Sequence, residues 1–273
     1  MTDWSDWIGR TRTIEDTVTP AMVAGLNATL DAGTVEQASG AAPQAIHWLL
    51  AKLFAPMREI DADGHPRRGD FLPPIALPRR MWVGSDVTFA APVMIGEPLK
   101  LESVVSAITP KSGSTGELVF VDMVHSVTAS GEARVSEKQT VVFREAGRNA
   151  APGPDAAPAA DFERTVTPDP VLLFRYSALT FNAHRIHYDT PYTREVEGYP
   201  DLVVHGPLTA SLLIDLCARE FGPNRLATFA FRAVSPAYVG EPLRLAARRT
   251  ATGLDLEAAA SGKVTMRAAA TLA

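Results

Sequence analysis

Two stretches of the chain place apolar residues at three- and four-residue spacing, the repeat of one face of a helix: Ala45 to Phe54 and Pro207 to Phe221. The second is apolar almost all round, through Leu208, Leu212, Leu213 and Leu216, which predicts a helix enclosed by a sheet. Each stretch is followed by runs that alternate or concentrate β-formers. In the first half these are Leu99 to Thr109, Leu118 to Val127 and Arg134 to Phe143; in the second, Leu243 to Arg249, Leu254 to Ala260 and Val264 to Leu272. Both halves therefore end in a predicted antiparallel meander. A further short element opens each half: Thr19 and Pro20 supply a cap and a first-turn proline, and Val171 to Ala178 is similarly apolar.

The halves also share a phrase. Pro92 to Leu101 reads Pro-Val-Met-Ile-Gly-Glu-Pro-Leu-Lys-Leu, and Pro236 to Leu245 reads Pro-Ala-Tyr-Val-Gly-Glu-Pro-Leu-Arg-Leu. The separation is the length of a small domain rather than a solenoid period, so a duplicated domain is expected. Between Glu145 and Glu163 the composition turns to Ala, Pro, Gly and Asp, which sustains neither a helix nor a paired strand. The expected division is an N-terminal domain over 1–146, a linker over 147–163 and a C-terminal domain over 164–273. One buried helix wrapped by an antiparallel sheet, twice, is an α+β layout.

Composition narrows the function classes. A chain of 273 residues, 46% hydrophobic and 21% charged, buries an ordinary core. Its formal net charge of -5 gives no general attraction to nucleic acid or anionic membranes, so an anionic ligand must meet local cations. Cys217 is the single cysteine, which excludes an intrachain disulfide and fits a reducing compartment. Its helical apolar setting predicts a buried small hydrophobe rather than a thiolate. Met1 to Arg10 lacks the cationic and apolar runs of a signal peptide, and no apolar stretch reaches a membrane span. A cytoplasmic protein is expected.

Chemistry concentrates between Tyr176 and Asp189, where Asn182, His184 and His187 lie close enough in sequence to converge on one small volume. Downstream, an apolar run stops at His205-Gly206, with Pro207 placed in the first turn of the buried helix. A glycine there admits a substrate to the helix N-terminus, where N–H groups favour developing negative charge. Hydration of an enoyl thioester needs a group to activate water, a proton for the α carbon and donors for the thioester oxygen. Histidine and a helix start supply these. No nucleophile elbow, phosphate loop or His-Glu-x-x-His helix is present. His184-x-x-His187 is a weak metal signal without a third ligand, so neither metal nor cofactor is implied.

These residues resemble the MaoC-like hydratase (hydratase 2) family, whose motif runs approximately Asp-x-Asn-Pro-aliphatic-His-x-Asp ahead of a glycine-containing start to a central helix. Laid on this chain, the motif's catalytic histidine falls on His187 and its last aspartate on Asp189, while its first aspartate falls on Asn182. His205 to Leu208 matches the second segment. The resemblance implies a double hot-dog fold, two antiparallel sheets each wrapping a central helix, with the first copy degenerate and the second catalytic. It also implies a hydro-lyase acting on an enoyl or 3-hydroxyacyl thioester of coenzyme A or a carrier protein. The Asn-x-His-Arg-aliphatic-His-Tyr-Asp form is similar to a branch containing mesaconyl-C4-CoA and itaconyl-CoA hydratases and 3-hydroxyacyl-thioester dehydratases. An amide cannot take a proton from water as a carboxylate does. His187 is then the principal acid/base, with Asn182 orienting water, His184 a second proton-transfer group, Gly206 at the thioester carbonyl, and Asp189 and His205 orienting. A dicarboxylic acyl group needs a cation, for which Arg175 and Arg185 are nearest in sequence. A thioesterase and a non-catalytic acyl-binding chain are the alternatives. Sheet edges leave a homodimer open.

Overall fold

The computed structural model describes residues 3–32, 40–50, 52–113, 116–146 and 151–273. Residues 147–150 of the expected linker, and residue 51 of the expected first helix, lie outside them. Among the described residues five strands come from the first half: β1 (Thr11–Thr17), β2 (Arg79–Phe89), β3 (Pro98–Gly113), β4 (Gly116–Ala129) and β5 (Glu132–Arg144). Five come from the second: β6 (Phe162–Val166), β7 (Leu226–Ala233), β8 (Leu243–Arg249), β9 (Leu254–Ala260) and β10 (Lys263–Leu272). They form one ten-stranded sheet in the order β1-β3-β4-β5-β2-β7-β10-β9-β8-β6. Either half of that order repeats the other in reverse. The shared Gly-Glu-Pro phrase enters β3 in one half and β8 in the other, so the repeat seen in sequence is a repeat in space.

The six expected meander strands fall on β3, β4, β5, β8, β9 and β10, between the edge strands β1 and β6 and the two central strands. The two that join the halves, β2 and β7, pair antiparallel from Gly84↔Arg232 to Thr88↔Thr228. Gly84 has a direct reason. It follows a bulge at Trp82, and a Cβ there would lie 2.6 Å from the Phe231 carbonyl oxygen, so a side chain would force the seam apart.

Among the described residues there are three α-helices, α1 (Pro20–Leu30), α2 (Pro170–Thr180) and α3 (Gly206–Phe221); α3 packs on the second-half strands, and α1 and α2 pack on each other. Helices α1 and α2 start alike, with Thr19 and Asp169 accepting the N–H of Met22 and Leu172 ahead of a first-turn proline. In α3 every residue from Leu208 to Cys217 is buried, which is why its sequence is apolar all round. Cys217 is among them, and burial pushes its thiol up to about 12, so it packs as a hydrophobe. Asp215 sits on the same helix, held by Arg164 at 2.7 Å and Arg219 at 2.6 Å, both of which also donate to backbone carbonyls at the end of α1. A buried carboxylate is tolerated because it is doubly paired.

The first half departs from expectation at Ala45 to Phe54. Among the described residues of that stretch only a 3-10 turn forms, Ile46–Leu49, entered through Ala45 in the left-handed region (φ 73) and left through an extended Leu50. The apolar spacing is real, since Ile46, Leu49 and Leu50 are buried, but one turn satisfies it. The double hot-dog layout thus holds with one long central helix instead of two, and with its two sheets merged into one.

Candidate active site

A cavity of about 1130 Å³ runs between the halves, a size suited to an organic ligand. All six histidines of the chain line it. The motif reaches it by a defined path. Helix α2 ends at Phe181 in the left-handed region, and the Asn182 N–H donates back to the Ser177 carbonyl. Asn182 Oδ1 accepts the His184 N–H at 3.0 Å, and a 3-10 turn, Arg185–His187, follows. Asn182 is thereby a turn former whose remaining amide group is a donor. Val203 then anchors the motif twice: its N–H donates to the Ile186 carbonyl, and its carbonyl accepts from His187 Nδ1 at 2.7 Å.

A carbonyl only accepts, so Nδ1 of His187 carries the proton and Nε2 carries the lone pair. Burial pulls His187 down to about 4, which makes it neutral near pH 7. His205 stacks on it, with ring centroids 3.6 Å apart and planes 18° apart, and is itself held by Ser177 Oγ at 2.8 Å. Two imidazolium rings would not stack so closely. Burial also drives His184 and His205 well below the ordinary histidine range.

His205 is the N-cap of α3, and Gly206 and Pro207 open the helix. The first backbone bond runs from the Thr209 N–H to the His205 carbonyl, leaving the N–H groups of Gly206 and Leu208 ahead of it; Pro207 has none. A Cβ at Gly206 would meet only the Trp82 carbonyl oxygen, at 3.8 Å. Nothing in the protein forbids a side chain there, so the open space faces the cavity that Gly206 lines.

The first half supplies what the motif lacks. Its segment 61–65 docks on the motif: the Arg185 N–H donates to the Asp63 carbonyl at 2.9 Å, and Arg185 Nη1 to the Ala62 carbonyl at 3.0 Å. Gly64 (φ +93) packs so tightly that a Cβ would lie 1.8 Å from the Ala183 carbonyl oxygen. This presents His65 to the cavity, its ring 4.2 Å from that of His184, which is 5.4 Å from that of His187. Asp63 Oδ2 accepts from His65 Nδ1 at 3.0 Å, and Asp63 Oδ1 from the His65 N–H at 2.9 Å. Although burial opposes its ionisation, the His65 contacts and Arg80 hold Asp63 down at about 2. His65 falls to about 4 through burial and the nearby Arg80, against the pull of Asp63. Donor atoms of Asp63, His65 and His184 lie within 4.8 Å of one another, but this proximity does not by itself make them metal ligands. The Arg80 guanidinium acts on all three and opposes a cation there.

Arg80 was not legible as a site residue. It lines the cavity, burial lowers it to about 10, and among the described residues its guanidinium has neither a hydrogen bond nor a close ion pair. The two arginines nearest the motif lie elsewhere. Arg175 is exposed on α2 and does not line the cavity. Arg185 pairs with Asp189 at 2.7 Å and stacks over Tyr192, 4.0 Å from the ring centroid. Asp189 also caps the Tyr192 N–H, so it orders the motif from behind without reaching the cavity.

A ten-stranded sheet around one long helix, with a histidine motif beside the helix start, defines the double hot-dog class. It is similar to a MaoC-like dehydratase from Phytophthora capsici (TM-score 0.73, 14% identity, covering 97% of this chain and 95% of that one). A Mycobacterium tuberculosis protein described as a double hot-dog also superposes (TM-score 0.58, 15% identity, 97% and 96% covered). The family model for hydroxyacyl-thioester dehydratase type 2 matches residues 45–239, and the chain belongs to that family. It is 45% identical over 260 residues to the mesaconyl-C(4)-CoA hydratase of Chloroflexus aurantiacus, covering 94% of this chain and 92% of that one.

Proposed function

We propose that this hydro-lyase reversibly hydrates a short, branched or dicarboxylic enoyl-CoA of the mesaconyl-C4 or itaconyl type. The observation that carries the reading is His187: a buried, neutral imidazole, proton fixed on Nδ1, beside the N-terminus of α3. Its Nε2 accepts a hydrogen of the attacking water, and the side-chain amide of Asn182 orients the water's oxygen. The thioester oxygen lies against Gly206, where the helix dipole and N–H groups stabilise enolate charge. His205 fixes the His187 ring by stacking, and His184 links the histidines. The C-terminal half, 164–273, is the catalytic half on this reading.

In a mesaconyl-C4 thioester the free carboxylate sits on the carbon that water attacks, so its cation must lie at the catalytic histidines. Arg80 is in that place, and Arg175 and Arg185 are not. Coenzyme A fits better than a carrier protein, given the chain-wide similarity to a CoA-dependent relative. Among the described residues no helix is long and apolar enough to cross a membrane, in keeping with a cytoplasmic enzyme. Loss of enoyl absorbance on mixing with mesaconyl-C4-CoA, itaconyl-CoA and crotonyl-CoA tests the reading, with the dicarboxylic thioesters expected to turn over fastest. Thiol release without hydration would make it a thioesterase, and turnover of none would remove the hydro-lyase assignment.

A further inference from the structure

The motif of this chain has an amide where a carboxylate would take the proton from water, and its cavity contains a carboxylate-backed base that comes from the other half. Asp63 bonds His65 Nδ1, which fixes that proton on Nδ1 and leaves the lone pair on Nε2. Among the described residues no protein group bonds Nε2, although His65 lines the cavity. His187 presents the same tautomer but is backed only by a neutral carbonyl. The difference decides which ring can take a proton. An imidazolium at His65 is compensated by the Asp63 carboxylate; an imidazolium at His187 would stack on His205 with no anion behind it.

Resting on the hydratase reading, we infer that His65, positioned by Asp63, is the catalytic base that replaces the motif's missing carboxylate, so that the two halves share one active site. His187 and His65 each accept one hydrogen of the same water. One O–H bond breaks and its proton passes to His65 Nε2 as the oxygen bonds to the β carbon. The double-bond electron pair moves onto the α carbon and thioester oxygen, beside Gly206. His65 then returns the same proton to the α carbon, so atoms and charge balance without any co-reactant. Asp63 does not line the cavity, so it positions and compensates without touching substrate.

The groups facing His65 are Asp63, Arg80, Arg68, His184 and His187. Arg80 is the one that opposes a proton on His65 most, after burial itself. A substrate carboxylate placed against Arg80 neutralises that opposition, so the base strengthens when the dicarboxylic substrate is bound. A metal held by the same cluster is the competing reading, and Arg80 disfavours it.

The test uses the full-length enzyme with mesaconyl-C4-CoA and crotonyl-CoA. His65→Ala is expected to lower kcat by about 10²–10³-fold with KM little changed, and added imidazole to restore a measurable part of it. Asp63→Asn keeps an acceptor but removes the charge; it is expected to lower kcat by about tenfold or more and to move the acid limb of the kcat profile to lower pH. Circular dichroism and thermal unfolding of both variants separate this from failure to fold. Should His65→Ala prove as active as wild type, or lose activity with no imidazole rescue while folded, the inference falls and the hydratase reading stands. Activity lost to a chelator and restored by zinc would overturn it in favour of a metal site. A wild type that hydrates neither thioester would remove both.

Discussion

The two halves of this molecule share a topology and differ in what they do with it. Each contributes five strands in matching order, a capped helix with a first-turn proline, and a Gly-Glu-Pro turn into its meander. The second half keeps a sixteen-residue helix with a buried face all round, and puts the histidine motif beside its start. The first half has one 3-10 turn in the corresponding place. What it gave up in helix it uses as loop: the chain after that turn crosses to the other half and lays residues 61–65 on the motif. A half that reads as degenerate in sequence therefore furnishes His65 and Arg80 to the common cavity, with Asp63 bonded to His65 from behind.

The comparison breaks most sharply at His187. If the second half holds the catalytic centre, His187→Ala lowers kcat for the preferred enoyl-CoA by about 10³-fold or more while the fold persists, because the lone pair that Val203 fixes on Nε2 beside the α3 N-terminus is lost. Stopped-flow or steady-state enoyl absorbance reads it. A fully active variant would move the chemistry out of the second half altogether.

Much of this was legible. Alternation and β-former runs marked the six meander strands, a cap and first-turn proline marked α1, and apolar spacing with a first-turn proline marked α3. The seam was not. Strand β2 runs Arg79-Arg80-Met81-Trp82 into a bulge and a glycine, so its period is broken where it pairs with β7. The helix expected at Ala45 to Phe54 failed because apolar spacing over so short a run fits one turn as well as three. In the site, local sequence brought together Asn182, His184, His187, His205 and Gly206, all lining one cavity. It could not find His65 or Arg80, which come more than a hundred positions earlier and carry no local motif. Proximity in sequence also pointed to Arg175 and Arg185, neither of which lines the cavity. The clearest missed signal was Asp63-Gly64-His65 itself, a carboxylate and a histidine flanking a glycine.

A second, smaller effect sharpens how the halves meet. Gly64→Ala puts a methyl group into the Ala183 carbonyl and a side chain at φ +93, so the loop must lift from the motif. Activity is expected to fall about 10–100-fold through displacement of His65, since a shift of about 1 Å can cost 10²-fold. Thermal unfolding should move by only a few degrees, because the strain is relieved locally. Measuring kcat/KM beside Tm distinguishes the two; a large loss of Tm with retained specific activity would make Gly64 a folding residue rather than a docking one.

The smallest effects separate the two arginines that sequence placed near the substrate. Arg185 straps the loop to the motif through the Ala62 carbonyl, is oriented by Asp189 and lies over Tyr192, all in solvent-screened surroundings where such contacts contribute little each. Arg185→Ala is therefore expected to lower kcat/KM by about 3–10-fold, equally for mesaconyl-C4-CoA and crotonyl-CoA, since the loop loosens whichever acyl group is bound. Arg175 is exposed on α2, and Arg175→Ala is expected to leave both activities unchanged and stability within about 0.5 kcal/mol. Paired kinetics on the two thioesters decide the matter. If Arg185→Ala instead abolished turnover of the dicarboxylic thioester alone, the substrate's carboxylate would belong to the second half, and Arg80 would lose its role as the cation that meets it.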